Sequence, residues 1–224
     1  MTTKIGFLLY PNMTQLDFTG PYEVLSRMPG AEVYLAAMSL DPIKADTGLR
    51  FLPDTLLEDC PLLDVLCVPG GPHVDDWFDN AEIIDFLKKQ GQQAKYVTSV
   101  CTGSLILGAA GLLDGYRAAT HWTSLEYLKP FGAIPDRARV VVDRNRITGG
   151  GVTAGIDFAF TVVAELQGEA VAKSIQLALE YNPAAPFKGG HPDAAEPAIV
   201  DAVLAAMDAR LAKRRRNTEG FVSS

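Results

Sequence analysis

The chain has few of the residues that usually build metal centres and disulfide frameworks. Its 224 residues include only three cysteines and three histidines, and neither a CxxC nor an HExxH motif occurs. This shortage argues against a bound metal ion, and nothing else in the chain suggests a cofactor. An odd number of cysteines without framework spacing also argues against a disulfide scaffold and favours a reducing compartment.

Long apolar runs and an excess of positive charge are missing as well. No apolar stretch approaches the roughly 20 residues that cross a membrane, and the first residues lack the pattern of a signal peptide. We therefore expect a cytoplasmic protein without a membrane partner. The formal net charge of −7 argues against a nucleic-acid partner. The one basic run, residues 213–216, is interpreted as part of a solvated tail.

Strand-like and helix-like segments alternate along the chain. Because such alternation is typical of βαβ units, we predict an α/β fold with a mostly parallel central sheet flanked by helices, a flavodoxin-like sandwich. Residues 1–190 form the predicted domain, and residues 191–224 a C-terminal helix and basic tail. The predicted strands cover residues 5–10, 32–38, 64–68, a β-branched run that ends at Cys101, 117–121, 139–143 and 146–148, with a small excursion near 48–52. The predicted helices cover residues 17–28, 81–93, 152–166, 170–181 and 198–213.

The most informative residue is Cys101, which ends a β-branched run and opens a small, glycine-containing turn before an apolar helix. This strand–turn–helix order is that of a nucleophile elbow, which presents a reactive side chain at the top of a sheet. The amides of the following helix are expected to favour the thiolate. Thr102 follows directly, either as an amide and hydroxyl donor in the site or as a turn-stabilising residue.

Two other loops are predicted at the same edge of the sheet, where open α/β folds bind ligands. The first carries Asp17, either as a helix N-cap or as a carboxyl group whose pKa is raised near the thiolate, so that it can transfer protons. Glu23 is a second carboxylate on this helix and is expected to be exposed. The other loop carries Gly70 and Gly71, whose amides either bind developing negative charge or simply end the strand.

The remaining cysteines and histidines are weaker candidates. Cys67 lies within a strand and is expected to be a core residue, and Cys60 has no identifiable activating group. His121, at the end of a predicted strand, either lies in the site or has a structural role. His73 and His191 are expected in loops. A papain-like mechanism requires an imidazole beside the sulfur, and none of the histidines adjoins Cys101 in sequence.

These segments together resemble one known family. The chain is similar to the PfpI-type branch of the class I glutamine amidotransferase-like superfamily over about residues 4–187. The resemblance rests on LDFTGP (16–21), VPGG (68–71), SVCTG (99–103), ATHW (119–122) and TGGG (148–151).

The resemblance also implies an activity, because many relatives carry a histidine after the nucleophile and a glutamate on the first loop. This chain has Thr102 and Asp17 there, the pattern of the branch that hydrates isocyanides to N-substituted formamides. The implied mechanism is attack by Cys101 to give a thioimidate, with Asp17 as proton donor and water activator. Thr102 would orient Asp17 or the water, and Gly70, Gly71, His121 and Gly150 would line the substrate site.

Three further expectations accompany this hypothesis. The helix after residues 149–151 is expected to lie beside the elbow and to shift during turnover, although a tightly packed turn is the alternative. The resemblance implies a homodimer. The competing functions are a glyoxalase-like or other cysteine hydrolase, and a non-catalytic redox or ligand sensor. A sensor with an attached helix-turn-helix is disfavoured because too few residues follow the predicted domain.

Overall fold

The computed structural model describes residues 2–221, so the last three residues of the predicted basic tail lie outside it. Eleven strands occur within this range: β1 Thr3–Leu8, β2 Ala31–Ala37, β3 Ile43–Lys44, β4 Arg50–Phe51, β5 Thr55–Leu56, β6 Val65–Val68, β7 Tyr96–Val100, β8 Arg117–Ala118, β9 Ile134–Pro135, β10 Val140–Asp143 and β11 Arg146–Gly149. The α-helices are α1 Gln15–Leu25, α2 Ala81–Gln93, α3 Gly103–Ala109, α4 Ala154–Gln167, α5 Glu169–Ala178 and α6 Pro197–Glu219, and two 3-10 helices cover Val74–Trp77 and Trp122–Phe131.

Seven of these strands form the central sheet, in the order β10-β11-β7-β6-β1-β2-β5. Every neighbouring pair is parallel except β10 and β11. All residues of β6 and β11 are buried, as expected for strands covered by helices on both faces. The predicted mostly parallel, helix-flanked sheet is therefore confirmed.

The sheet order explains why the three predicted loops meet. β1, β6 and β7 are adjacent and parallel, so their carboxyl ends lie together at one edge of the sheet. The chain leaves β1 towards α1 and Asp17, leaves β6 towards Gly70 and Gly71, and leaves β7 at Cys101.

Two predicted elements differ from the structure. The strand predicted at 117–121 is only two residues long, because the chain turns at His121 into the 3-10 helix Trp122–Phe131. The C-terminal helix predicted at 198–213 continues to Glu219, so the basic run lies within a helix instead of a solvated tail. Among residues 2–221, no helix combines the length and apolar character needed to cross a membrane.

Candidate active site

Cys101 occupies a sharp turn at the end of β7. Its φ of +54° lies in the left-handed region that non-glycine residues rarely adopt. Its backbone N–H donates to the carbonyl oxygens of Gly149 and Gly150, at 3.0 and 2.9 Å, and α3 begins two residues later. The predicted nucleophile elbow is therefore present, and the segment leading to α4 lies beside it as expected.

Gly103 allows this elbow to pack against the loop after β6. A Cβ atom placed there would lie 2.2 Å from the carbonyl oxygen of Val68 and 2.8 Å from the carbonyl carbon of Pro69. Both are backbone atoms of a buried strand end, so they have little freedom to move. A side chain at position 103 would push the loop after β6 away from the elbow.

We therefore expect Gly103→Ala to destabilise the protein by about 1–3 kcal/mol and to lower its Tm by roughly 3–10 °C. Thermal unfolding followed by circular dichroism measures this. Gly189→Ala is the matched control, because nothing lies within 4 Å of a Cβ there, and its Tm should match that of the unmodified protein. Equal Tm values for the two variants would show that the close approach at Gly103 carries no cost.

Asp17 is the third residue of α1 and does not cap it, because the N-cap position is Thr14. The side chain is only 1% exposed. Oδ2 accepts a hydrogen bond of 3.0 Å from the N–H of Gly70, whereas Oδ1 has no hydrogen-bond partner among residues 2–221. Burial raises the pKa of Asp17 to about 8, against the opposing effect of the Gly70 N–H.

Cys101 and Asp17 influence each other directly. Burial, and then the charge of Asp17, raise the pKa of the Cys101 thiol well above its usual value, while the N–H and hydroxyl of Thr102 oppose this change. The expected effect of the helix amides is present, because the Thr102 N–H lowers the pKa of the thiol, but burial has the larger effect. Since burial penalises both charged forms, the pair retains at least one proton at neutral pH.

The two loop glycines do not provide free amide donors. The N–H of Gly70 is used by Asp17, and the N–H of Gly71 donates to Thr102 Oγ1 at 2.9 Å. Thr102 Oγ1 in turn donates to the carbonyl oxygen of Gly71 at 3.0 Å. Of the two alternatives predicted for this loop, free oxyanion donors do not fit the structure, because buried acceptors already satisfy both amides. Thr102 thus joins the elbow to the loop after β6 and does not hydrogen-bond Asp17.

A cavity of about 380 Å³ opens in front of the thiol. The predicted residues Cys101, Thr102, Gly71 and His121 line it. Asp17 and Gly70 are not among its lining residues, and Gly150 lines a neighbouring cavity. The other lining residues are Asn12, Thr14, Asp46, Thr47, Pro72, His73, Thr123, Val152, Met207, Arg210 and Arg214.

His121 is held in a neutral state at the cavity wall. Its Nδ1 lies 2.8 Å from Thr123 Oγ1 and accepts a longer hydrogen bond from the Thr123 N–H. Burial, with smaller effects from Arg214 and Arg210, lowers its pKa to about 4. The side chain therefore combines both predicted roles, since it is anchored structurally and also faces the cavity.

A comparison with known proteins places this site in a family. The DJ-1/PfpI family profile matches residues 3–165, which include the elbow and both glycine-containing loops. The chain belongs to the DJ-1/PfpI family. Within residues 2–221, no group of three histidine, cysteine or acidic side chains is arranged to hold a metal ion.

Individual members of the DJ-1/PfpI family match over most of the chain. An isonitrile hydratase of Pseudomonas putida is 54% identical over 201 residues, which cover 90% of this chain and 88% of that protein. The transcriptional regulator GbdR of Pseudomonas aeruginosa is 32% identical and matches 77% of this chain but only 49% of its own length. A crystal structure of a THiJ/PfpI family protein from Pseudomonas syringae superimposes with a TM-score of 0.95 at 44% identity, covering 97% of this chain and 91% of that one.

One wall of the DJ-1/PfpI site was missed at the sequence level. Met207, Arg210 and Arg214 reach the cavity from α6, which packs against the 3-10 helices at Trp122–Phe131 and Val74–Trp77. No local pattern marks α6 as part of the site, because it lies about a hundred residues after Cys101. His73, predicted as an ordinary loop residue, also lines the cavity.

Proposed function

We propose that this protein is an isocyanide hydratase, which adds water to an isocyanide to give an N-substituted formamide. The observation that carries the proposal is the buried Asp17 carboxyl group beside Cys101. Addition to an isocyanide requires a soft nucleophile and a proton for the same carbon atom. A thiol–carboxyl pair that keeps a proton at neutral pH supplies both.

The first step consumes the proton held by the pair. Asp17 carries this proton: the Cys101 thiolate attacks the terminal carbon of R–N≡C, and the Asp17 carboxyl group protonates that carbon. The product is the thioimidate R–N=CH–S–Cys101, with Asp17 left as the carboxylate. No negatively charged oxygen develops in this step, which is consistent with a site whose Gly70 and Gly71 amides are already engaged.

The second step returns the proton. The Asp17 carboxylate removes a proton from water as the water oxygen attacks the thioimidate carbon, and this proton passes to the nitrogen. The resulting adduct, R–NH–CH(OH)–S–Cys101, releases the sulfur and becomes R–NH–CHO. Its hydroxyl proton returns to the thiol–carboxyl pair, so the net reaction is R–NC plus one water.

Two features of the cavity support this chemistry. Its volume of about 380 Å³ accommodates a small substituent R. The hydrogen bonds between Gly71 and Thr102 hold the loop after β6 against the elbow. His121 is neutral, so it adds a polar group to the cavity wall without adding a charge. The isonitrile hydratase of P. putida, at 54% identity, supports the same activity.

The direct test is turnover of cyclohexyl isocyanide, with N-cyclohexylformamide measured by chromatography against a protein-free control. We expect catalytic formation of the formamide, many equivalents per protein. Production of lactate from methylglyoxal in place of formamide would favour the glyoxalase-like alternative. Binding of the isocyanide without turnover would favour the sensor alternative, and either result would overturn the proposal.

The remaining properties are proposed on the resemblance alone. They are a cytoplasmic location, a homodimer, movement of α4 during turnover, and a boundary near residue 190 between the main domain and the C-terminal segment. Because Met207, Arg210 and Arg214 line the cavity, we assign the C-terminal segment to the site as well. Light scattering coupled to size-exclusion chromatography measures the oligomeric state.

A further inference from the structure

Arg214 is the one residue of the basic run at 213–216 that is buried, with only 1% of its surface exposed. Its guanidinium donates to three groups. Nε donates to Asp75 Oδ1 at 2.7 Å, Nη1 to Ser124 Oγ at 2.7 Å, and Nη2 to the carbonyl oxygen of Pro72 at 3.3 Å. An arginine is rarely buried so completely unless each such partner is in place.

Neighbouring cations on α6 behave differently. Lys213 pairs with Asp76 at the surface, and Arg215 and Arg216 are exposed. Surface pairs of this kind contribute little to stability, and a buried ion pair often contributes no more than apolar side chains of the same volume. Stability alone therefore does not explain why a charged group occupies position 214.

The position of Arg214 gives a better explanation. Arg214 lines the cavity in front of Cys101, whereas its partner Asp75 is not among the lining residues. Arg214 is therefore the member of the ion pair that borders the cavity in front of the thiol. Its contact with Pro72 also reaches the loop whose preceding residue, Gly71, hydrogen-bonds Thr102 in the elbow.

Several other charged or titratable groups act on the thiol or on residues that line the cavity in front of it. They are Tyr10 and Asp46 from the loops after β1 and β3, Asp17 from α1, His73, Asp75 and His121 at and near the 3-10 helices, and Arg210 on α6. Among these groups, Asp17 disfavours a negative charge on the sulfur, and Arg214 is the buried cation that opposes this effect.

We propose that Arg214 is a positioning residue that holds a fixed positive charge at the cavity wall and thereby favours the thiolate form of Cys101. Asp75 and Ser124 keep the guanidinium in place, so the charge neither swings into solvent nor pairs with the substrate. This inference rests on the proposed role of Cys101 as the nucleophile. It does not depend on which electrophile the thiolate attacks.

The test is the pH dependence of Cys101 alkylation by iodoacetamide, measured by mass spectrometry on the full chain with Cys101→Ala as background. Arg214→Gln keeps hydrogen-bonding groups but removes the charge. It should move the alkylation midpoint up by roughly 0.5–1 pH unit, which slows alkylation about three- to tenfold below the midpoint. Arg214→Lys should stay near the unmodified profile. Arg215→Gln, an exposed charge on the same helix, should not change it.

Asp75→Asn separates this electrostatic role from a structural one. It removes the negative partner while leaving the guanidinium, so the midpoint should move down, opposite to Arg214→Gln. Damage to packing would move both midpoints in the same direction. The proposal would be overturned if the alkylation midpoints of the two variants moved in the same direction, or if the midpoint of a folded Arg214→Gln variant did not change. If Arg214→Gln fails to fold, the direction in which Asp75→Asn moves the midpoint tests the proposal instead. Because alkylation reports on the thiol itself, failure of hydratase activity leaves this result interpretable.

Discussion

Cys101→Ala is expected to abolish formamide production from cyclohexyl isocyanide, lowering turnover by at least about 10³-fold. The methyl group of alanine cannot attack the isocyanide carbon, and the elbow holds no second thiol. The variant should remain folded, because alanine tolerates the turn about as well as cysteine and the backbone hydrogen bonds to Gly149 and Gly150 are retained. The measurement is the initial rate of formamide formation by the variant and by the unmodified protein. Equal Tm values for the two proteins show that the variant is folded.

Cys101→Ser and Cys60→Ala are the controls for this prediction. Serine keeps the size and polarity of the side chain but is a far weaker and harder nucleophile, so its turnover should also be lost. Cys60 is buried, and burial raises its pKa to about 11, so its removal should leave the rate unchanged. A serine variant that retained more than a tenth of the activity would contradict thiolate attack.

Asp17→Asn is expected to lower turnover by about 10²–10⁴-fold, the usual contribution of a general acid–base group. Asparagine has nearly the same shape and its Oδ1 can still accept from the Gly70 N–H, but it cannot carry the proton between sulfur, carbon and water. Glu23→Gln is the matched control on the same helix. Glu23 pairs with Arg27 at the surface, so the turnover rate of Glu23→Gln should equal that of the unmodified protein. Equal losses of turnover in the Asp17→Asn and Glu23→Gln variants would exclude a specific role for Asp17.

Asp17→Asn is expected to lower activity but to raise the stability of the folded protein, because the pKa of Asp17 is raised. That pKa is 3.8 in a free carboxyl group and about 8 in the folded protein. The folded state therefore binds the proton more tightly, and its stability falls as the pH rises from about 4 to 8, by up to about 1.4 kcal/mol per unit. Asp17→Asn removes this loss, so its Tm should exceed that of the unmodified protein increasingly between pH 4 and 8. A constant Tm difference across this range would show that Asp17 is not held protonated.

Residues with strong local signals were predicted correctly. The elbow could be found because a β-branched strand, a small turn and an apolar helix follow one another within a dozen residues around Cys101. Helix α2 was predicted with its observed bounds, since its apolar positions recur at helical spacing. Non-local properties were predicted less well. The roles of Gly70 and Gly71 depended on which acceptors faced their amides, and those acceptors are 53 and 31 residues away in sequence.

By itself, the sequence determined the α/β class and the cysteine elbow, because periodicity, turn residues and residue order are properties of short segments. Tertiary structure decided the protonation of Asp17, the engagement of the loop amides and the burial of Arg214. Each of these depends on desolvation and on partners brought together by the fold. The exposed and buried residues of one basic run look alike in sequence, and only the packing of α6 over the cavity distinguishes Arg214 from Arg215.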